Sequence, residues 1–385
     1  MRRAEETVGL SRPPRAVPSA SVGSALVAWF GRSRRPLPWR RSHDPYSVWV
    51  AEVMLQQTRV AQAAPYYERF LARFPTVRSL ARAPLPSVLK VWQGAGYYAR
   101  ARNLHAAARQ IVTERRGIFP QTVDELETLP GVGPYIARAI AAIAFDLPVV
   151  ALEANGRRVA ARWWAERGDV RSTAVTKRLV RDLEGVLPSR HPGRFTEALM
   201  ELGETVCLPS RPDCPRCPVR EHCRAYSTLD DPGSLPRRHR RPPRPSVVAA
   251  VVVVESGGRY LVQRRAPTGL LGGLYEFPGG KLEPRESPRT AARREWREEV
   301  GSPAPRLTSA GVVHHAYSHF TVELHVFGGR IPLQERPSPR PSQAWVRPEG
   351  LIRLPLPKAT EKIAEMLGIV SDRRPREPSR RRPSG

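Results

Sequence analysis

The stretch LPGVGPYIARAIAAIAF, Leu129–Phe145, decides how the first half of the chain reads. Gly131 and Gly133 permit backbone conformations closed to other residues, and Pro134 suits the first position of a helix that YIARAIAAIAF continues. The preceding VDELETL has a helical pattern, so the whole reads as helix, tight turn, helix. Loop amides aimed outward at a helix N-terminus make a ready phosphate site. In isolation the same residues also describe an ordinary turn between packed helices, and the surroundings have to separate the two.

From Ser24 to about Tyr226 apolar residues recur at three and four, punctuated by Pro and Gly, which describes an all-helical domain. The 385 residues are enough for two domains, each with its own core. Lys and Arg total 63 against 36 Asp and Glu, a formal net charge of +27. Lysines are confined to Lys90, Lys177, Lys281, Lys358 and Lys362, so the excess is arginine. Such an excess points to a polyanionic partner, although tails such as RRPREPSRRRP hold part of it and an Arg-rich composition alone produces the same sum. In a basic, all-helical domain the turn reads as a helix-hairpin-helix that grips one DNA strand by its backbone, with Gly131, Val132 and Gly133 as the contacts. No stretch approaches the roughly 18 apolar residues of a membrane span. The longest, Val247–Val254, has strand length, and the basic N-terminus lacks an apolar core. A soluble, cytoplasmic, monomeric protein with no membrane partner is expected.

All four cysteines fall within CLPSRPDCPRCPVREHC: Cys207, Cys214, Cys217 and Cys223. Disulfides do not persist in a reducing compartment, so four thiols in one loop read as a metal or cluster site. Zinc usually takes two separated C-x2-C knuckles, whereas one compact run suits a cubane wrapped by a single loop. The spacing therefore favours iron–sulfur, with zinc as the alternative.

Residues 227–245 are Pro-, Arg- and polar-rich without an apolar period and read as a linker. Beyond them the period becomes two. SVVAAVVVV and RYLVQRR flank Glu255–Gly258 as a hairpin, SPRTAARREWREEVG reads as a helix and YSHFTVELHVFGG as a strand region. The expected organisation is a disordered segment 1–21, a helical domain 22–226, the linker 227–245, an α+β domain 246–370 and a disordered basic tail 371–385.

LPGVGPYIARAI, EVMLQQTRV at Glu52–Val60 and MELGETVC running into the cysteine loop closely resemble the helix-hairpin-helix DNA glycosylases that carry a 4Fe-4S cluster. The second domain, with GLLGGLYEFPGGK and HHAYSH, is similar to that of the MutY-type adenine DNA glycosylases, which remove adenine mispaired with 8-oxoguanine. The resemblance runs from about Val22 to Ile369. It implies a multidomain α plus α+β protein: an all-helical glycosylase domain with its cluster loop, then a Nudix-like α/β/α domain. It also implies double-stranded DNA carrying A opposite 8-oxoguanine or G as partner, the four cysteines as cluster ligands, and an abasic site as product.

Relatives that also cut the strand place a lysine where Tyr135 stands, and without that amine no Schiff base forms there. A monofunctional glycosylase is expected, with Tyr135 in the catalytic pocket; simple helix packing is its alternative role. Glu52 lies among Val50, Ala51, Val53, Met54 and Leu55, where burial would favour the protonated form of a general acid. The matching family glutamate delivers a proton to adenine N7; a solvated helix face is the alternative. A second carboxylate has to stabilise the cationic sugar. The family supplies it as the aspartate of L-D-G-N-V-x-R-V, and here LEANGRRV puts Glu153 for the aspartate, Ala154 for the glycine and Gly156 for the valine, while Asn155, Arg158 and Val159 match. A misplacement of about 1 Å can cost about a hundredfold in rate. Gly156 is expected to re-aim the backbone and draw the longer side chain back. A functional substitute is favoured; a slow enzyme, a lesion-binding protein without excision, and a mere helix cap at Glu153 are the alternatives. By the same resemblance Glu197 bonds the adenine edge, Trp39, Arg40 and Leu55 surround the extruded base, and Gln57, Thr58 and Tyr97 border the gap it leaves.

GKLEPRESPRTAARREWREEVG, Gly280–Gly301, fits the Nudix box, with Trp296 where an aliphatic residue is usual. Glu295, Glu298 and Glu299 share one helical face, a candidate Mg site for nucleotide pyrophosphate hydrolysis; a solvated helix inherited from a hydrolase is the alternative. Tyr317, Ser318 and His319 match the family loop F-S-H, whose serine contacts the oxidised guanine, so lesion reading is the favoured task of this domain.

Overall fold

The structure, a computed structural model, describes residues 20–237, 244–317 and 319–370. Residues 1–19 of the expected N-terminal segment, the expected tail 371–385, part of the expected linker and Ser318 lie outside the described residues. The chain divides into two units: residues up to 81 with 106–240, and 82–105 with 241 onward.

The helices are α1 (Ala20–Ser33), α2 (Pro45–Leu55), α3 (Val60–Arg73), α4 (Val77–Arg82), α5 (Leu85–Trp92), α6 (Tyr98–Arg115), α7 (Val123–Glu127), α8 (Pro134–Phe145), α9 (Ala154–Trp163), α10 (Thr173–Glu184), α11 (Pro192–Thr205) and α12 (Arg224–Thr228). Their starts follow local chemistry. Asp44 caps α2 by accepting from the Ser47 amide at 2.9 Å, Thr122 and Glu125 form a capping box at α7, and Ser172 caps α10. Proline opens α2, α8 and α11. Every residue of α2 from Val48 to Met54 is buried, so this helix has no solvent face and must be wrapped on all sides. The alanine-rich α8 packs against α2, α7 and α11. At its crossing with α11 the backbones nearly touch: a Cβ on Gly193 would lie 1.9 Å from the Ala142 carbonyl oxygen, and the Gly193 amide donates to Asp146 at 2.8 Å. Around α1, α9, α10 and α11 a second set of buried side chains, Phe30, Leu152, Trp163, Phe195 and Leu199 among them, closes the core.

Part of the expected linker is folded. Leu235 is buried, and its carbonyl accepts from Nε of the buried Arg162 at 2.9 Å, so the chain stays on the helical unit well past Tyr226. Residues 82–105, read from sequence as part of the helical domain, are helical and group by contacts with the C-terminal unit. Lys90 Nζ donates to the carbonyls of Ile352 (2.5 Å) and Leu354 (3.0 Å), and Arg102 to those of Gly272 (2.8 Å) and Gly269 (3.0 Å). Cationic side chains satisfying loop carbonyls hold these helices there, a pairing with no local signature.

The second unit adds β1 (Ser246–Ser256), β2 (Arg259–Arg264), β3 (Tyr275–Glu276), β4 (Gly279–Lys281), α13 (Pro288–Val300), β5 (Thr308–Ala316), β6 (Thr321–Arg330), β7 (Gln343–Val346), α14 (Pro348–Arg353) and α15 (Lys358–Met366). The seven strands form a mixed sheet in the order β3-β2-β1-β6-β5, with β4 on β1 and β7 on β2. β1 and β6 run parallel from Ser246 opposite Thr321 to Glu255 opposite Arg330; the remaining pairs are antiparallel. The period-two pattern of β1 sends Ala250, Val252 and Val254 to the face under α13, and Val253 to the face under α15. This is the expected α/β/α layering. Trp296, unusual for its motif, is fully buried between α13 and the sheet, with its indole N–H donating to Ser302 at 3.3 Å. Among the described residues no helix is long and apolar enough to cross a membrane.

The α8–α11 crossing makes a sharp prediction. Gly193→Ala should lower stability by about 2–3 kcal/mol through overpacking against backbone, read as a fall in melting temperature; an unchanged melting temperature would show that the two helices can separate freely.

Candidate active site

One pocket of about 650 Å³ in the helical unit collects side chains from four helices. Glu52 comes from α2, Tyr135 from the first turn of α8, Glu153 and Asn155 from the start of α9, and Glu197, Glu201 and Glu204 from one face of α11. Tyr135 Oη donates to Glu52 Oε2 at 2.5 Å. Burial pushes the Glu52 carboxyl up to about 7, against the opposing effect of the tyrosine hydrogen bond and with help from the Glu153 and Glu197 charges. Burial and the neighbouring Glu52 hold the Tyr135 phenol well above its ordinary range, so it stays a neutral donor.

Glu153 caps α9: its carboxylate accepts from the amides of Asn155 (2.5 Å) and Gly156 (2.7 Å). Burial raises its pKa, while the two amides and Arg158 work the other way. The capping role is therefore real, and the same carboxylate lines the pocket with Glu52. Gly156 does not re-aim the chain. It is an ordinary helical residue that contributes its amide and sits tightly, since a Cβ there would lie 3.0 Å from Leu152 Cδ1 and 3.4 Å from Leu199 Cδ2. Asn155 donates to Glu204 at 3.2 Å and accepts from Arg158 at 2.9 Å.

Trp39, Arg40, Leu55, Gln57, Thr58 and Glu197 all border this pocket. Gln57 follows α2 in a left-handed conformation, φ +58, a strained choice for a non-glycine residue and one that often marks a functional site. Tyr97 belongs to the other unit, where its ring meets His319 edge-on at 6.5 Å. Tyr317 packs against His315 at 4.6 Å and Phe320 at 4.9 Å, and burial pushes its phenol up to about 12. Ser318 lies outside the described residues.

Glu201 escaped sequence reasoning. It is buried, 1% exposed, and binds Arg35 through both oxygens at 2.8 and 2.9 Å and Arg40 at 2.8 Å. Burial works to raise its pKa, but the two arginines outweigh that and hold it below the ordinary range. The spacing of Glu197, Glu201 and Glu204 puts three carboxylates on one helical face, a signal present in the sequence.

In the turn before α8, Gly131 has φ +75, open to glycine, and the Val132 amide closes on the Leu129 carbonyl at 3.0 Å. The Val132 side chain is buried, while Gly131 and Gly133 are exposed. A Cβ on Gly133 would meet nothing within 4 Å, so backbone is presented bare to solvent.

The four cysteines are free thiols lining one cavity beside Arg162 and Trp163. Burial pushes Cys217 up to about 12 and Cys223 up to about 11, and the other thiols add to both. Arg162 donates to Cys207 Sγ at 3.1 Å and to the Leu208 and Pro209 carbonyls, while Arg158 donates to the Cys207 carbonyl at 2.9 Å. Among the described residues no three His, Cys, Asp or Glu side chains converge as they would on a single ion. Four thiols lining one cavity are a donor set that either an iron–sulfur cluster or a zinc ion takes.

The expectation of Mg on Glu295, Glu298 and Glu299 is not supported. Arg294 takes Glu295 at 2.8 Å, Glu298 at 3.3 Å and Glu286 at 2.9 Å. Glu299 turns inward to accept from the Gly279 amide at 2.8 Å, with burial pushing it up to about 7. An arginine and a backbone amide satisfy the carboxylates that a cation would need.

A family model described as HhH-GPD superfamily base excision DNA repair protein matches residues 50–184, and one described as NUDIX domain matches 249–366. The adenine DNA glycosylase of Mus musculus is 34% identical over 89% of this chain and 77% of its own length. That of Homo sapiens is 34% identical over 88% and 72%. Among solved structures, a thermostable thymine-DNA glycosylase matches with a TM-score of 0.50 and 25% identity, covering 54% of this chain and 96% of that one.

The buried acid has a stability signature. With its pKa raised from 4.5 to about 7, Glu52 contributes stability that is complete below about pH 4.5 and lost as pH rises through 7. Between pH 5 and 8, wild type should lose on the order of 2 kcal/mol relative to Glu52→Gln, measured by denaturant titration; parallel pH dependences would mean that Glu52 is not shielded from water.

Proposed function

This chain belongs to the adenine DNA glycosylases, and we propose that it excises adenine paired with 8-oxoguanine or guanine in double-stranded DNA, leaving an abasic site. The observation that carries this reading is the 2.5 Å bond between Tyr135 and the buried Glu52, with Glu153 on the wall of the same pocket. Adenine is a poor leaving group until its ring is protonated. Glu52 holds a proton near neutral pH because burial penalises its anion, and it delivers that proton to N7 of the extruded base. As the glycosidic bond lengthens, positive charge grows on the sugar, and Glu153 supplies the fixed negative charge that stabilises it until water adds. The bonds from the Asn155 and Gly156 amides hold the longer glutamate arm close to its own backbone, which offsets its extra methylene. Tyr135 offers no amine, so the reaction stops at hydrolysis of the base.

Gly131, Val132 and Gly133 grip the phosphate backbone, supported by the exposed glycines before α8. Cys207, Cys214, Cys217 and Cys223 hold a 4Fe-4S cluster that stiffens the loop carrying Arg211, Arg216, Arg220 and Arg224 toward DNA. In the second unit Tyr317, Ser318 and His319 read the oxidised guanine, and the arginine-paired carboxylates of α13 leave that helix a structural role.

Single-turnover assays on duplexes with A opposite 8-oxoguanine, G or T should show excision of the first two, with no strand cleavage before alkali. The rate should fall about tenfold per pH unit above 7, where Glu52 loses its proton. Glu52→Gln should cost at least about a thousandfold; retained excision in that variant would exclude Glu52 as the acid.

A further inference from the structure

Glu197 is a pocket carboxylate with its side chain only 10% exposed, and among the described residues no hydrogen bond reaches it. Its two oxygens are approached by Arg40 Nε at 3.7 Å and His43 Nε2 at 3.7 Å, both beyond hydrogen-bonding distance. A shielded acceptor without a donor calls for an explanation, and a ligand that brings an N–H group supplies one.

Arg40 could close onto Glu197 but is restrained on its other side. Its Nη2 donates to Glu201 Oε2 at 2.8 Å, its Nη1 to the Arg35 carbonyl at 3.1 Å, and its guanidinium lies 4.9 Å over the Phe30 ring. Glu201 is itself fixed by Arg35, which meets one of its oxygens through Nε at 2.8 Å and its backbone amide at 3.1 Å, and the other through Nη2 at 2.9 Å. Charges therefore alternate from Arg35 to Glu201 to Arg40 to Glu197, ending at the pocket wall. Released from Glu201, the Arg40 fork would have Glu197 within reach and would form a bidentate pair with it.

We infer that Glu201 is a positioning residue that sets base recognition: by holding Arg40 back, it leaves the Glu197 carboxylate to accept from the exocyclic amine of a purine. This rests on the reading of the pocket as the site of an extruded adenine. A purine bearing hydrogen at that position offers no donor, and one bearing oxygen presents a lone pair to a carboxylate.

The test uses the full chain and duplexes carrying a non-cleavable 2′-fluorinated nucleotide opposite 8-oxoguanine, with either adenine or 6-unsubstituted purine as its base. Wild type should bind the adenine duplex at least about tenfold tighter, and Glu201→Gln should bring the two within about threefold. Glu201→Asp, which keeps the charge but draws the carboxylate away from Arg40, should do the same and serves if Glu201→Gln does not fold. A preference that survives both substitutions, equal losses on both duplexes, or no preference in wild type would overturn the inference. Excision of a cleavable adenine duplex is measured alongside. A protein that discriminates in binding without excising would sink the catalytic reading and leave the role of Glu201 standing.

Discussion

Keeping water away from one carboxyl is the constraint around which the helical unit is built. Glu52 sits on a helix buried on every side, and its partner is a phenol rather than a cation. Desolvation then favours the proton instead of the charge, a preference that an exposed glutamate could not hold. The close crossing of α8 and α11 at Gly193 fixes α8, the helix that packs on α2 and carries Tyr135 to its acid. Packing and chemistry are here one demand placed on the same side chains.

α9 joins this pocket to the cysteine loop. Glu153 and Asn155 stand at its start, and Arg162 near its end is buried in a ring of acceptors that includes Cys207 Sγ. Arg158, one turn from Asn155, reaches both the Asn155 side chain and the Cys207 carbonyl. Buried guanidiniums are costly unless fully bonded, and these are bonded to backbone carbonyls that only a well-ordered loop presents. The loop's order and the placement of Glu153 therefore share a single rigid element.

In the second unit the box helix is bonded closely to its own surroundings. This helix is locked by Trp296 in the core and by Arg294 against three carboxylates, with Glu299 bonded to the Gly279 amide at the start of β4. The residue types of a hydrolase are present, yet their hydrogen bonds are spent within the fold. Spacing alone does not reveal that, because an arginine one position before Glu295 is compatible with either use.

Much of the protein was legible locally. The three-and-four period of the helices, the turn before α8, the capping residues, the period-two strands and the hairpin at Gly257–Gly258 all depend on neighbours within a few residues, and they stand as read. Glu52, Tyr135, Glu153 and Asn155 do share a pocket, and the four cysteines do share a cavity. Tertiary structure alone decided which loop carbonyls Lys90 and Arg102 meet, that Gly156 serves through its amide and its tight seat, and that Arg294 binds carboxylates of the box. It alone created the clamp in which Arg35 and Glu201, 166 residues apart, fix Arg40. A backbone preference is settled within one helical turn, whereas the partner of a buried charge is whichever group the completed fold brings within about 3 Å, and no local pattern records that.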